Sequence, residues 1–298
     1  MLNEIYRSLD VKKQSFHQWL NRYSKHKEEE QSMISIIRQI REDHPKMGAR
    51  EMYYKIQPSF MGRDKFEIFC FDNGFRVVKS RNFRKTTNSN GVVRFPNMVE
   101  GYELTGVYQV LVSDITYYEL NGKFYYLTFI MDLYSREILG YSVSKSLRTE
   151  ETTLAALKKV VRKIGRHNLR GTIIHSDGGG QYYDIEFRKY TERLKMVNSM
   201  GKDVYENPHA ERVNGTIKND YVKPWNPASY AELQQCVAKA IINYNTYKPH
   251  SSLERLTPVQ YRQLSHGSET KGEKKKTAVE TENYSLSNLP VSTAQHNY

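Results

Sequence analysis

Two apolar segments joined by Asn121-Gly122 constrain the fold of this chain more than any other feature. The first is QVLVSDITYYEL at 109–120, and the second is KFYYLTFIMDLYS at 123–135. Both are rich in β-branched and aromatic residues, and Asn-Gly is a dipeptide that a two-residue hairpin turn favours. The pattern predicts an antiparallel pair of strands, to which EILGYSVSKS at 137–146 adds a third.

Helices and further strands follow in a defined order. A helix is predicted over 149–164, then the short buried strand GTIIHSD at 171–177, then a helix over 181–194 after three glycines. Two more helices are predicted at about 208–222 and 230–247. The order β-β-β-α-β-α-(β)-α is that of a ribonuclease-H-like domain. We therefore expect an α/β core over 107–265, with a mixed five-stranded sheet flanked by helices.

The first third of the chain predicts an all-α region. Residues 1–24 indicate a short helix-turn-helix-like segment, and KHKEEEQ at 25–31 is interpreted as a connector. Residues 32–78 predict a helix-turn-helix region, because Met33, Ile36, Ile37 and Ile40 form one apolar stripe of an amphipathic helix. The excess of Lys and Arg in this third of the chain suits a DNA-binding region. Residues 79–106 are interpreted as a basic linker that follows a DNA backbone, and 266–298 as a disordered tail.

The charge of the chain favours a polyanionic partner. The formal net charge is +12, and residues 1–95 hold 19 Lys and Arg against 11 Asp and Glu, a net of +8. DNA attracts such a surface regardless of sequence, although a merely basic protein has the same composition. No apolar run approaches the roughly 20 residues that span a bilayer. With only two cysteines, neither a disulfide framework nor a cysteine-rich zinc site is expected.

Three acidic residues lie at the positions where this fold would bring them together. Asp114 lies in the middle of the first strand, Asp177 ends a strand before three glycines, and Glu211 lies on a helix. Each has an ordinary alternative, respectively a turn cap at a strand edge, a helix N-cap and a solvated helix face. On the predicted helix, Asn214 and Lys218 share the face of Glu211.

The chain resembles the integrase core of bacterial insertion-sequence transposases, whose second reading frame encodes a retroviral-integrase-like catalytic subunit. The resemblance covers about 108–261 and is carried by SDITYY, MDLYSREILGY, HSDGGGQYY, NSMGKDVYENPHAERVNGTIKNDY and YNTYKPHSSLERLTP. The helical block at 33–78 resembles the helix-turn-helix region that precedes such cores. Two departures are the shorter spacing between Asp177 and Glu211 and the absence of Trp near Leu111.

The resemblance implies a chemistry and its residues. Asp114, Asp177 and Glu211 would be the catalytic triad that binds two Mg²⁺ ions, with Mn²⁺ as an alternative. The site would cleave 3′ ends at the terminal inverted repeats of a mobile element and join them, with circularisation of the element before insertion. Lys218 would contact the DNA of the element's end.

Other residues remain as alternatives or additions. Asp203 and Glu206 compete with Glu211 for the third acidic position, because they lie in the loop before its helix. The set of expected DNA contacts is Lys218, Asn214, Arg212, Lys202, Lys248, Arg63 and Lys65.

Three nearby polar residues are assigned other roles. Asp132 is expected to form a structural pair with Arg136. His175 is interpreted as a positioning residue near the site, and both His175 and His209 are weaker candidates for metal ligands.

The expected partners are double-stranded DNA, further copies of the chain and an upstream-frame DNA-binding subunit or fusion. No membrane partner is expected, and the location would be the bacterial cytoplasm near the nucleoid. The main alternative is a non-catalytic or domesticated DNA-binding protein derived from a transposase. A nuclease that acts on RNA–DNA hybrids would share the fold and the metals.

Overall fold

A computed structural model describes residues 6, 8, 11–77, 95–201 and 207–268. Its centre is a five-stranded mixed sheet in the order β3-β2-β1-β4-β5. The strands are β1 (Val110–Leu120), β2 (Lys123–Asp132), β3 (Ile138–Ser144), β4 (Ile173–Ser176) and β5 (Val197–Met200). The helices are α1 (Lys13–Asp43), α2 (Ala49–Ile56), α3 (Arg63–Asp72), α4 (Thr153–Ile164), α5 (Gly180–Tyr183), α6 (Ile185–Arg193), α7 (Pro208–Gly215), α8 (Lys223–Trp225), α9 (Tyr230–Thr246) and α10 (Pro258–Ser268).

The predicted hairpin is confirmed, and its turn explains its register. Asn121 and Gly122 adopt φ values of 51° and 72°, the left-handed conformations that a type I′ turn requires. Leu120 consequently pairs with Lys123, and the antiparallel ladder continues to the pair of Leu111 with Asp132. On its other side, β1 pairs in parallel with β4, ending at Ser113 opposite Ser176.

Each face of the sheet has its own hydrophobic core. Val110 and Val112 of β1 face a core built with α7 and α9. Leu111 faces the opposite core, which α4 and α6 complete. Because strand side chains alternate, Asp114 shares the face of Val110 and Val112 and therefore lies towards α7.

Helix α4 approaches β3 closely because β3 carries a glycine at the contact. A Cβ atom on Gly140 would lie 2.3 Å from the carbonyl oxygen of Ala156 and 2.6 Å from Cγ2 of Val160. A larger residue would therefore push the helix off the sheet.

The predicted connector at 25–31 is wrong, because α1 runs through it as one helix of 31 residues. Its charges form helical neighbour pairs rather than a break. Lys27 Nζ lies 2.7 Å from a Glu30 oxygen, and His26 Nε2 lies 3.3 Å from Glu30. Only the C-terminal part of α1 buries side chains, at Met33 and Ile37. No helix within the described ranges is long and apolar enough to cross a membrane.

The N-terminal helices are docked on the sheet-containing half through the end of α1. His44 Nδ1 lies 3.0 Å from the buried hydroxyl of Tyr221. The indole of Trp225 donates a 3.0 Å hydrogen bond to the carbonyl oxygen of Glu42. Burial lowers the pKa of His44 to about 4, so the ring is neutral at physiological pH.

Part of the predicted linker packs on the core. Val99 and Leu104 contact the core on the α7 side, and the Met98 amide donates a 2.9 Å hydrogen bond to Ser199 Oγ. Residues 95–106 are therefore not a free connector. The remainder of the predicted linker, 78–94, and the predicted tail beyond 268 lie outside the described residues.

Candidate active site

Asp114 and Asp177 are brought together by the parallel pairing of β1 and β4. The last registered pair is Ser113 with Ser176, so the next residue along each strand is one of the two aspartates. The Asp177 carboxylate accepts a 3.1 Å hydrogen bond from the Gly179 amide in the glycine turn. Burial raises the pKa of Asp177. The two carboxylates therefore lie near each other where β4 ends, and the charge of Asp177 raises the pKa of Asp114.

The Asp114 carboxylate is held by two donors. Its Oδ1 accepts a 2.7 Å hydrogen bond from the Ile115 amide, and its Oδ2 accepts a 2.6 Å hydrogen bond from Nδ2 of Asn214. Burial, followed by the negative charges of Asp177 and Glu211, raises the pKa of Asp114 to about 7. The charged form is therefore costly without a cation nearby.

Glu211 lies in the first turn of α7, which begins at Pro208 with its backbone ordered by Asn207. Its side chain is exposed. Burial of part of the group and the charge of Asp177 both raise the pKa of Glu211. Since Glu211 also raises the pKa of Asp114, each of the three predicted acids interacts electrostatically with another member of the set.

The predicted helix over 208–222 changes geometry after α7, because residues Thr216–Val222 form a π-helix. Lys218 lies in this segment and contacts β1, as Asn214 does. Lys218 Nζ donates to Thr116 Oγ1 at 2.9 Å and to the carbonyl oxygen of Tyr117 at 3.4 Å. Burial lowers the pKa of Lys218, while the charge of Asp114 opposes this effect.

Side chains from α7 and the π-helix cover the edge of β1 that is exposed where β4 ends. Asn207 Nδ2 donates a 3.0 Å hydrogen bond to the carbonyl oxygen of Ser113, and Lys218 Nζ donates a hydrogen bond to the carbonyl oxygen of Tyr117. Asn207 and Asn214 are 4% and 5% exposed, and the Oδ1 atom of each has no hydrogen-bond partner in the described part of the chain. Sequence reasoning missed Asn207, although an Asn before Pro at a helix start indicates a special position.

The donor set suits a divalent cation, although the three acids are not drawn into one cluster. Carboxylate and amide oxygens are hard ligands of the kind Mg²⁺ prefers, and Asp114 has a desolvated charge to neutralise. The buried Oδ1 of Asn214, beside Asp114, is a further oxygen without a partner. Within the described ranges, however, no three His, Cys, Asp or Glu side chains are close enough to hold one ion. Three carboxylates repel one another, and Glu211 is turned towards solvent.

The predicted pair of Asp132 with Arg136 is wrong. Asp132 is fully buried and accepts hydrogen bonds from the Tyr108 amide at 2.8 Å and from the Ser135 amide and hydroxyl at 2.8 and 2.6 Å. No ion pair joins its carboxylate to Arg136 among the described residues. The Asp132 carboxylate accepts hydrogen bonds from backbone amides that would otherwise be buried without a partner, among them that of Ser135 in the turn between β2 and β3.

The two predicted histidines are buried to different degrees. His175 lies in β4, with Nδ1 2.9 Å from Ser199 Oγ in β5, so it links two strands. His209 is half-buried on α7, where burial and the charges of Arg136 and Arg212 lower its pKa to about 4. Neither belongs to a metal-binding group within the described residues.

The predicted DNA contacts are dispersed. Arg212 is exposed on α7. Lys248 is 13% exposed and lies 3.9 Å from Glu51, so it joins the N-terminal helices to the core. Arg63 pairs with Asp64 at 2.8 Å at the start of α3. Lys65, two residues after Arg63 on the same helix, is exposed. Lys202, Asp203 and Glu206 lie outside the described residues.

Comparisons with known proteins agree with this fold. The integrase core domain family matches residues 105–203, and a second integrase core domain model matches 192–258. The chain is similar to the insertion element IS600 uncharacterized 31 kDa protein of Shigella sonnei, at 31% identity over 69% of this chain and 76% of that protein. It is also similar to the transposase InsF for insertion sequence IS3A of Escherichia coli (strain K12), at 27% identity over 63% of this chain and 66% of that protein.

A third relative extends the match towards the N-terminus. InsK, for insertion sequence element IS150 of Escherichia coli (strain K12), is 23% identical over 89% of this chain and 94% of its own length. Among solved structures, the HTLV-2 integrase catalytic core domain in complex with magnesium is 21% identical, with a TM-score of 0.43 over 53% of this chain and 97% of that chain. From these sequence matches and the integrase core that they cover, the chain belongs to the bacterial insertion-sequence transposases with an integrase-like core.

Proposed function

We propose that this chain is the catalytic subunit that cuts and joins DNA at the terminal inverted repeats of a mobile element. The observation that carries the proposal is the register of β1 and β4, which sets Asp114 beside Asp177 with Glu211 near enough to affect the pKa of Asp114. Such a concentration of negative charge is costly in itself and suits cation-dependent chemistry on phosphates.

Asp114, Asp177 and Glu211 would hold the divalent cations. When bound, two Mg²⁺ or Mn²⁺ ions supply activation of the attacking oxygen and stabilisation of the leaving 3′-oxygen at phosphorus. The same site would then serve both reactions, because hydrolysis uses water and joining uses a DNA 3′-hydroxyl as the attacking group. No covalent bond between protein and DNA is needed.

The chain's own residues would position these reactants. Asn214 orients the Asp114 carboxylate through the 2.6 Å hydrogen bond, and Asn207 ties the start of α7 to β1. Lys218 is fixed beside β1 by Thr116 and brings a positive charge to the phosphates. An exposed Glu211 can move towards the two aspartates when a cation reduces their repulsion.

The proposed partners follow from this chemistry. They are double-stranded DNA of the element ends and of a target, and further copies of the chain, because two ends must be held together for joining. An upstream-frame DNA-binding subunit or fusion is also proposed. The place of action would be the bacterial cytoplasm at the nucleoid.

A labelled inverted-repeat end, incubated with the protein and Mg²⁺, tests the proposal. The expected products are a nicked strand with a free 3′-hydroxyl and its joined form, both absent with Asp177→Asn. The matched control is Asp184→Asn, which changes an aspartate that caps α6. If neither product forms and Asp177→Asn behaves like the parent, the catalytic role is wrong. Binding without cleavage would then favour a non-catalytic protein derived from a transposase.

A further inference from the structure

The outer half of the β1–β2 hairpin carries exposed aromatic side chains. Tyr117 and Phe124 are 40% and 52% exposed, and their rings meet edge to face with centroids 5.6 Å apart. Tyr126 lies opposite Tyr117, and Ile115 lies two residues before it on the same face. These four residues are called the hairpin patch.

The hairpin patch exists because helix α4 stops short of it. Helix α4 packs on β3 and on the inner part of β2, where Ile130 is fully buried. Beyond Ile130 and the buried Thr128, the same face of β2 continues with Tyr126 and Phe124, whereas a solvated sheet face usually carries polar residues. Contiguous exposed apolar surface of this kind indicates a binding partner.

A positive charge borders the hairpin patch on the side of the active site. The ammonium of Lys218 lies 5.4 Å from the centre of the Tyr117 ring. Two of its three N–H groups donate hydrogen bonds to Thr116 Oγ1 and to the carbonyl oxygen of Tyr117. The third N–H group can donate to a phosphate oxygen. The carboxylate of Glu119 lies on the same face of the sheet, at the end of the hairpin patch away from Asp114, where Glu119 pairs with Phe124. An aromatic surface with a cation at one end suits a nucleotide, whose base stacks while its phosphate pairs with the charge.

The distance to the predicted site of cleavage is short. Tyr117 follows Asp114 by three residues of extended strand, so their Cα atoms lie about 10 Å apart and their side chains leave opposite faces of the sheet. The edge of β1, where Lys218 contacts Thr116 and Tyr117, joins the two faces. Stacked nucleotides of one DNA strand rise about 3.4 Å each, so a strand that passes round this edge needs at least about three nucleotides to reach the ring from the carboxylate. We propose that Tyr117 and Phe124 form a stacking site for an unpaired base a few nucleotides from the scissile phosphate. This site rests on the proposed function, since the unpaired strand belongs to the element's end.

Two DNA ends test the stacking site in the presence of EDTA, so that no bond is cut. One end is fully paired, and the other has its three nucleotides next to the scissile phosphate unpaired and carries 2-aminopurine there. The parent protein should bind the unpaired end about tenfold more tightly and quench its fluorescence. Tyr117→Leu should abolish both effects, while Tyr117→Phe, which keeps the ring, should retain them. Tyr102→Leu, at another tyrosine that is 43% exposed, is the control.

Each other outcome has a defined meaning. If Tyr117→Leu binds the two ends with the parent's preference, the stacking site is wrong. If Tyr117→Leu and Phe124→Ala change the mass in light scattering but not the preference, the hairpin patch binds a second copy and the inference is overturned. A parent protein that binds the ends without preference refutes the stacking site alone. One that binds neither end refutes the proposed function as well.

Discussion

Replacing Asp114 by Asn should stabilise the metal-free protein, and more so at high pH. The pKa of Asp114 rises from its ordinary 3.8 to about 7, chiefly because of burial and then because of Asp177. Folding therefore favours the protonated carboxyl. Its contribution to stability is complete below about pH 4 and is lost as the pH rises through about 7. An asparagine has no charge to lose, so the variant should not show this decline.

The magnitude follows from the pKa values. Each pKa unit corresponds to about 1.36 kcal/mol, so a rise from 3.8 to about 7 sets an upper limit of about 4 kcal/mol. Asp177 shares the cost of the negative charge, and the Asp114 side chain keeps some contact with solvent, so we expect about 2 kcal/mol. For a chain of this size, that difference raises the melting temperature by about 4–8 °C.

Urea denaturation in EDTA, at several pH values between about 4 and 8, measures the effect. The free energy of unfolding of Asp114→Asn minus that of the parent should grow with pH, and Mg²⁺ should narrow the difference by stabilising the parent alone. Asp72→Asn, at an exposed carboxylate of α3, is the control and should track the parent. A difference that is constant or shrinks with rising pH would refute the electrostatic account of the site.

Three further predictions concern other contacts. Lys218→Met should weaken the binding of end DNA and reduce the slope of the logarithm of the binding constant against the logarithm of salt concentration by about one, the value for one phosphate contact. Fluorescence anisotropy at several salt concentrations measures this slope, and an unchanged slope contradicts the contact. A double-mutant cycle of His44→Ala and Tyr221→Phe in urea should show a coupling of about 1 kcal/mol, because their 3.0 Å contact joins the N-terminal helices to the core; zero coupling opposes this docking. Gly140→Ala should lower the free energy of unfolding by about 3 kcal/mol, because its Cβ would lie 2.3 Å from the Ala156 oxygen; a neutral result would show that α4 shifts freely.

The sheet could be predicted because its determinants are local. Asn121 and Gly122 encode the hairpin turn by their conformational freedom, and alternating apolar residues on either side define the strands. The parallel pairing of β1 with β4 followed from the order of the elements. It is this pairing that brings Asp114 and Asp177 together.

The parts that were not predicted depend on geometry that residue type alone does not encode. A cluster of opposite charges at 25–31 looks like a connector, but Lys27 and Glu30 are spaced to support a helix. The π-helix at Thr216–Val222 has no sequence marker, so a regular helix is predicted there. The contact of Asn207 with Ser113 joins residues far apart in the chain, so only the folded structure displays it.

The identity of the third acid is the most direct test of the account. The measurement is Mg²⁺-dependent release of a 3′-hydroxyl from a labelled inverted-repeat end, compared for the parent, Glu211→Gln and Glu206→Gln. We predict that Glu211→Gln loses cleavage by a factor of about a thousand or more while Glu206→Gln retains it, because the charge of Glu211, on α7, raises the pKa of Asp114 within the described part of the chain. Full activity of Glu211→Gln together with loss in Glu206→Gln would contradict the site described above.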